Sequence, residues 1–398
     1  MKKTILIMSA FSLTMLVIAS CKQKSNVQVE ETVEYRVDYS SANHASISCK
    51  MDGKDVENGS SVKKGSILVF TLEPQENYEA DEWNIEGNTL TQGGNKGERT
   101  CTIKVTSDVV VTCKIKCLLE DGFDFTTGVG VLDGIIFKMK DIPAAKDETL
   151  GNEMEETDNK AHKVTLDAFT ISETEITQEL YKKVMGKNPS VCKEGKIEGE
   201  VTEKRPVDYV TWTECIAFCN RLTQMMPGLG NTYCVYYSDP ELKNIYTEED
   251  ATALIEPHAN WSRKGFRLPT SNEWEWAARG GVKNEYWAGT GDEKKVGDYA
   301  WIDTNSGHTT HEVAKKLPNG YGLYDMSGNV VERCWDWYTE TISTDPSTNP
   351  HGPKTGDMKV ARGGGAGLEF DSATVTHIIC ISPGHHIWFA GFRIVRNK

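Results

Sequence analysis

The side chains of this chain that could do chemistry are its cysteines, its histidines and a few carboxylates, and their spacing limits what that chemistry is. Of 11 cysteines, Cys21 ends an N-terminal apolar run; the others are Cys49, Cys101, Cys113, Cys117, Cys192, Cys215, Cys219, Cys234, Cys334 and Cys380. No C-x-x-C occurs, which argues against a zinc ribbon or a thioredoxin-like dithiol. Cys215 and Cys219 stand one helical turn apart in an apolar pattern and read as buried thiols. His308-x-x-His311-Glu312 has a superficial metal spacing, but it falls in a polar, Gly- and Thr-rich loop and reads as structural. Cys380 with His385-His386 is the remaining soft-ligand group, a weak zinc or copper site set against exposed neutral side chains.

These last three residues lie in the most unusual stretch of the chain, residues 362–393, which opens on Arg362-Gly363-Gly364 and closes on Gly391-Phe392-Arg393. Its interior fits neither the helical nor the strand period. From Gly365 to Trp388 it has no Lys, Arg, Asn, Gln or Tyr, in a chain that is 26% charged. Its few charges are Glu369 and Asp371. The stretch reads as a displayed surface held between two rigid ends, with Arg362 and Arg393 as the anchors.

Elements that could position such a surface have room to form, since 398 residues with 38% hydrophobic content allow two or three domains, each with a core. A formal net charge of -14 argues against a nucleic-acid partner, because phosphate binding needs clustered Lys and Arg. Residues 1–20 read as a signal peptide, with Lys2-Lys3 before the apolar run. Ile18-Ala19-Ser20-Cys21 resembles a bacterial lipobox, which implies cleavage before Cys21, lipid on its sulfur and a membrane partner through that anchor. The expected location is the bacterial cell envelope, at the outer-membrane surface. Residues 21–34 read as a tether.

Residues 35–117 read as a small all-β spacer domain. Alternation runs through Ile67-Leu68-Val69-Phe70-Thr71-Leu72 and Cys101-Thr102-Ile103-Lys104-Val105, with turn signals at Asp52-Gly53, Asn58-Gly59 and Gly93-Gly94. Residues 118–130, acidic and glycine-bearing, read as a linker into a large domain over 118–398. There Thr177 and Gly186 bound one short helix. Thr211 with Glu214, and Thr270 with Glu273, form capping boxes that open two more, the last ended by Gly280-Gly281. Trp274, Trp276, Trp287, Trp301, Trp335 and Trp337 read as the core of a loop-rich domain and not as a carbohydrate platform.

The run RLPTSNEWEWAARGG from Arg267 to Gly281, the earlier Glu175-Ile176-Thr177-Gln178 and Pro206-Val207, the segment from Asn319 to Val330, Arg362-Gly363-Gly364 and the final Gly391-Phe392-Arg393 together resemble the formylglycine-generating enzyme (sulfatase-modifying factor) family. The resemblance covers about Phe123 to Lys398. It implies an α+β fold, the C-type lectin fold of formylglycine-generating-enzyme type, here preceded by the all-β domain. Enzymes of the family hold copper(I) with a cysteine pair. The matching positions are about Leu368 and Ala373, so neither copper nor catalysis is expected. The H-x3-H-x-E iron pattern of a second enzyme branch is missing. The resemblance further implies a structural calcium held by Asp325 and Glu332 carboxylates with Gly328 and Val330 carbonyls. The alternative is that Asp325 and Glu332 cap turns without metal.

Borders that keep the family pattern around a shuffled interior resemble the variable surface proteins of diversity-generating retroelements. In those, template adenines are substituted, giving codons that cannot encode Glu, Lys, Gln, Met or Trp; within 365–388 only Glu369 and Trp388 fall outside that set. Residues expected to vary and bind are Gly365, Gly367, Leu368, Phe370, Asp371, Thr374, His377, Ile379, Cys380, Ser382, Gly384, His385 and Ile387. Ala373, Pro383 and Phe389 read as fixed scaffold. The function expected is a non-catalytic, surface-displayed lipoprotein that binds a protein or glycan through this face. Its alternatives are a sulfatase-modifying oxidase and an inert envelope lipoprotein.

Overall fold

The computed structural model describes residues 33–41, 43–152, 159–195, 197–282 and 285–398. Cys21, the signal peptide and nearly all of the tether lie outside the described residues.

The first domain is a sandwich of two sheets. One has the strand order Ser61–Lys63, Glu34–Ser41, Val109–Cys117, Tyr78–Glu86; the other has Lys54–Asp55, Ala45–Met51, Ile67–Pro74, Thr100–Lys104, Thr89–Gly93. In Ile67–Pro74 the alternation sends Leu68, Phe70 and Leu72 inward, onto Val37, Ile103 and Val111. Cys49, Cys101 and Cys113 are buried here as free thiols, and burial pushes Cys49 and Cys101 up to about 12. This domain rests on the next one: Tyr78 donates its hydroxyl to the Gly134 carbonyl at 2.8 Å, and its ring stacks on His44 at 4.2 Å. His44 in turn stands 3.4 Å from the Glu179 carboxylate.

The large domain closes on its own ends. Its last strand, Val395–Asn397, pairs antiparallel with Phe169–Ser172 and with Phe266–Arg267 inside a six-stranded sheet. Gly122–Phe123 and Val129–Leu132 join that sheet too, so much of the segment expected as a linker is part of the fold. The reason is burial: Phe123 packs edge-on against Phe266 at 5.5 Å and stacks toward Phe137 at 6.3 Å. A second, four-stranded sheet has the order Ile379–Ile381, Lys359–Arg362, Val331–Trp337, Ala390–Gly391.

Three helices brace the sheets: α1 (Gln178–Met185), α2 (Trp212–Met225) and, further along the chain, α3 (Ser271–Ala278). Thr177 caps α1, and Gly186 ends it in the left-handed conformation at φ 75. The capping boxes Thr211/Glu214 and Thr270/Glu273 open α2 and α3 as the sequence predicts. The face of α2 buries Cys215, Ile216, Phe218, Cys219 and Leu222 against Tyr181 and Phe392, which makes it the spine of the core. Trp274 and Trp287 are buried; Trp276, Trp301, Trp335 and Trp337 are half-buried.

Candidate binding face

The segment 362–393 is pinned at both ends by buried guanidinium groups. Arg362 donates Nε and Nη2 to Ser271 Oγ at 3.0 and 2.7 Å, Nη2 to Glu275 at 3.2 Å, and Nη1 to the carbonyls of Val375, Thr376 and His377 at 3.0–3.3 Å. Burial alone would raise the Glu275 carboxyl; Arg362 and Arg279 outweigh it and hold it down at about 2. Arg393 donates Nε and Nη2 to the two oxygens of Glu332 at 2.6 and 2.7 Å, and its remaining donors go to the carbonyls of Ser172 and Tyr324. Both anchors are fully buried. Each guanidinium meets a carboxylate and several carbonyls, the arrangement that offsets the cost of taking a charge out of water.

After the first anchor the backbone turns on Gly364, at φ 69, where a Cβ would lie 2.8 Å from the Ala373 Cα. Ala373 is buried there, and Leu368 is half-buried. Phe389, with φ 58, folds its ring back over this turn. A side chain on Gly365 would meet Phe389 Cβ at 3.3 Å, and one on Gly367 would meet Phe389 Cε2 at 2.4 Å. Gly365 is therefore enclosed and does not belong to a displayed surface as expected, and Gly367 is half-covered.

The other expected contact residues divide into groups. Leu368 and Ile379 are half-buried on Val331, Ala361, Ile381 and Ala390. Phe370 turns to a different cluster, against Trp287 at 5.9 Å, and its carbonyl accepts from Trp287 Nε1 at 2.8 Å. Thr374 and His377 are half-buried, with the His377 carbonyl bound by Arg362. Ser382 and Gly384 are half-buried, and Asp371, Cys380, His385 and Ile387 are exposed.

The longest continuous exposed run of the segment is 385–388, in the loop that follows the strand Ile379–Ile381. Arg333, also buried, holds it from beneath by donating Nη2 to the His385 carbonyl at 2.6 Å. His386 tilts against Tyr209 at 5.1 Å and stands 3.2 Å from Glu214, the residue that closes the α2 capping box. Trp388 stacks on Phe389 at 4.8 Å and donates Nε1 to Cys192 Sγ at 3.4 Å. Gly384 lies against Leu254. The result is one apolar patch in which Ile387, Trp388, Tyr209, Leu254 and Val191 are 37%, 52%, 40%, 60% and 46% exposed. The expected contact set left out Trp388, Tyr209, Leu254 and Val191, because nothing in their order shows which loops meet, and His386 entered the sequence reading only as a soft metal ligand beside Cys380 and His385.

Asp325, Gly328, Val330 and Glu332, the expected calcium ligands, lie behind the second anchor. Glu332 also accepts from Trp274 Nε1 at 2.7 Å and is committed to Arg393, so it is not free for a cation. Asp325 accepts from the Ala314 amide through Oδ2 at 2.8 Å, while its buried Oδ1 has no partner. Burial pushes its carboxyl up to about 6. Glu175, which accepts from Val330 N and Asn329 Nδ2, is raised well above the carboxylate range by burial and then by Asp325 and Glu332. A calcium ion at this loop would thus have Asp325 and the Gly328 and Val330 carbonyls, one carboxylate short of the expected set. His311 packs its ring on Trp301 at 3.7 Å and is bonded through both nitrogens, to Glu200 and the Ser306 carbonyl, a structural role.

Comparison with known proteins agrees with this architecture. Residues 137–398 match the model of the sulfatase-modifying factor enzyme 1-like domain. The chain is similar in structure to Treponema denticola variable protein 1, with TM-score 0.62 and 38% identity over 68% of this chain and 98% of that one. A relative in Paenibacillus barcinonensis, described as chaperone protein LppX, is 32% identical over 253 residues, 59% of this chain and 82% of that protein. The formylglycine-generating enzyme of Streptomyces coelicolor is 41% identical over 128 residues, which span 29% of this chain and 38% of that enzyme. On this match and on the fold described above, the chain belongs to the sulfatase-modifying factor enzyme 1-like family.

Proposed function

We propose that the protein is a non-catalytic binding protein, carried on the bacterial envelope by lipid at Cys21, that holds a protein partner on the patch around Ile387 and Trp388. The single observation that carries this reading is the gathering of exposed Ile387, Trp388, Tyr209, Leu254 and Val191 around the loop that buried Arg333 holds from beneath. Apolar surface of this kind is stabilised when another molecule covers it. Aliphatic Val191, Leu254 and Ile387 contribute nothing to the hydroxyl recognition a glycan requires, which favours a protein among the two ligand classes. Likeness to a variable protein supports a binding role. Leu368 and Ala373 at the positions of the copper-binding cysteines support the lack of oxidase chemistry, since neither side chain ligates a metal. No helix among the described residues is long and apolar enough to cross a membrane, and the proposed attachment is the lipid.

Incubation with a cysteine-containing sulfatase peptide, read by mass spectrometry, tests the non-catalytic part. The peptide should keep its thiol; conversion to formylglycine would overturn the reading.

A further inference from the structure

Away from that patch, a cavity of ≈ 430 Å³ lies between the start of α3 and the loop that follows the strand Val331–Trp337. Trp337, Tyr338, Ile342 and Ile378 give it apolar and aromatic walls, and Asp336 and exposed Asp345 give it carboxylates. Asp336 is 4% exposed. Its Oδ2 accepts from the Ser271 amide at 2.8 Å, at the first residue of α3, while Oδ1 accepts no hydrogen bond among the described residues. Gly352 lines the cavity beside that oxygen, and a Cβ there would lie 3.1 Å from it, so a larger residue would cover it. An apolar cavity with one unpartnered, deeply buried acceptor has the composition of a small-molecule site.

Charge decides the class of ligand. No Lys or Arg lines the cavity among the described residues. Of the cations nearest Asp336, Arg362 is committed to Ser271, Glu275 and backbone carbonyls. Lys359 lies outside the cavity, 3.5 Å from the Trp337 ring centre, and donates to the Trp335 carbonyl at 3.0 Å. His162 and Asn272, which do line it, are hydrogen-bonded to each other at 2.8 Å, and the other ring nitrogen of His162 is on the Lys160 carbonyl. Burial therefore pushes the Asp336 carboxyl up to about 7, since the Ser271 amide and these cations only partly offset the loss of water. An anion would meet two aspartates and no counter-charge, whereas an N–H cation supplies the donor that Oδ1 lacks. A quaternary ammonium has no N–H to give. We propose that this cavity binds a small arylalkyl amine as its primary ammonium ion, whose N–H donates to Asp336 Oδ1, with Asp345 as a second negative charge and the ring against Trp337 and Tyr338.

Phenethylammonium, 2-phenylethanol and phenylacetate, which are close in shape and differ in charge, test the assignment by saturation-transfer NMR on the whole protein at pH 8, where the Asp336 carboxyl is ionised. Phenethylammonium should bind with a dissociation constant on the order of 1 mM. The neutral and anionic probes should bind at least about tenfold more weakly. Asp336→Asn keeps an oxygen for the Ser271 amide and puts donors where the free acceptor was. It should weaken phenethylammonium about tenfold or more and leave 2-phenylethanol within about twofold, a split that loss of the cavity would not give; circular dichroism confirms that the variant is folded. Asp345→Asn, on the exposed loop, should weaken phenethylammonium about twofold and reduce its dependence on salt. No transfer to phenethylammonium, equal binding of all three probes, or phenethylammonium binding unchanged in folded Asp336→Asn would each overturn the proposal.

Discussion

Arg393 and Glu332 face each other through two hydrogen bonds of 2.6 and 2.7 Å, with both side chains wholly out of solvent. The pair joins the segment just before the last strand of the chain to the strand Val331–Trp337 of the four-stranded sheet, so the contact segment between Arg362 and Arg393 is held at its far end by a charge that has nowhere else to go. Arg393→Met leaves Glu332 buried with Trp274 as its remaining donor. The loss should be about 3–5 kcal/mol, measured by urea denaturation, because an uncompensated buried charge remains. The double variant Arg393→Met, Glu332→Leu should recover part of it.

Gly364→Ala should cost more than Gly307→Ala, although both glycines have a left-handed backbone. At Gly307, φ 62, a Cβ meets open space; at Gly364, φ 69, it meets the Ala373 Cα at 2.8 Å. The first substitution carries only the conformational cost, about 1 kcal/mol, and the second adds overpacking of about 1–3 kcal/mol. Thermal melting of the two variants side by side checks the difference.

Neighbouring residues 388 and 389 should separate stability from binding. Trp388→Ala removes an exposed ring and should change stability by less than about 1 kcal/mol. Phe389→Ala empties the space over Gly365 and Gly367 and should cost about 3–5 kcal/mol. Calorimetry of both variants tests this, and a large loss for Trp388→Ala would place that ring in the core.

Acid should stabilise the protein modestly before it unfolds it. The Asp325 carboxyl is raised by burial to about 6 from 3.8, so the folded chain binds its proton more readily than the unfolded chain. That contribution is present in full below about pH 3.8 and is lost as pH rises through about 6. Glu275, held at about 2 against 4.5, works oppositely: its contribution is present above 4.5 and lost as pH falls through about 2. The melting temperature, measured with EDTA present, should rise from pH 7 to pH 5 and fall below pH 4. Asp325→Asn should flatten the rise.

How much of this was legible in the sequence depends on how far each signal reaches. The caps Thr177, Thr211 and Thr270 act within one helical turn, and the structure has them as read. The anchors Arg362 and Arg393 were legible because arginines flank a stretch otherwise without them. The enclosure of Gly365 was not, since it depends on Phe389 taking a left-handed backbone and folding its ring back. Likewise Phe123 gives no local sign that it will find Phe266, which is why a sheet edge looked like a linker. Tyr209 and Leu254 enter the patch only through contacts across the fold with His386 and Gly384.

The most direct measurement is site-specific photocrosslinking on cells that produce the protein, with a benzophenone side chain at position 388 and, as control, at Ile67 in the sandwich domain, where exposure is 45%. A discrete protein adduct at 388 that is missing at 67, and is lost when Leu254 is changed to Asp, is the predicted result. An adduct at 67 alone, or equal adducts at both positions, would contradict the account.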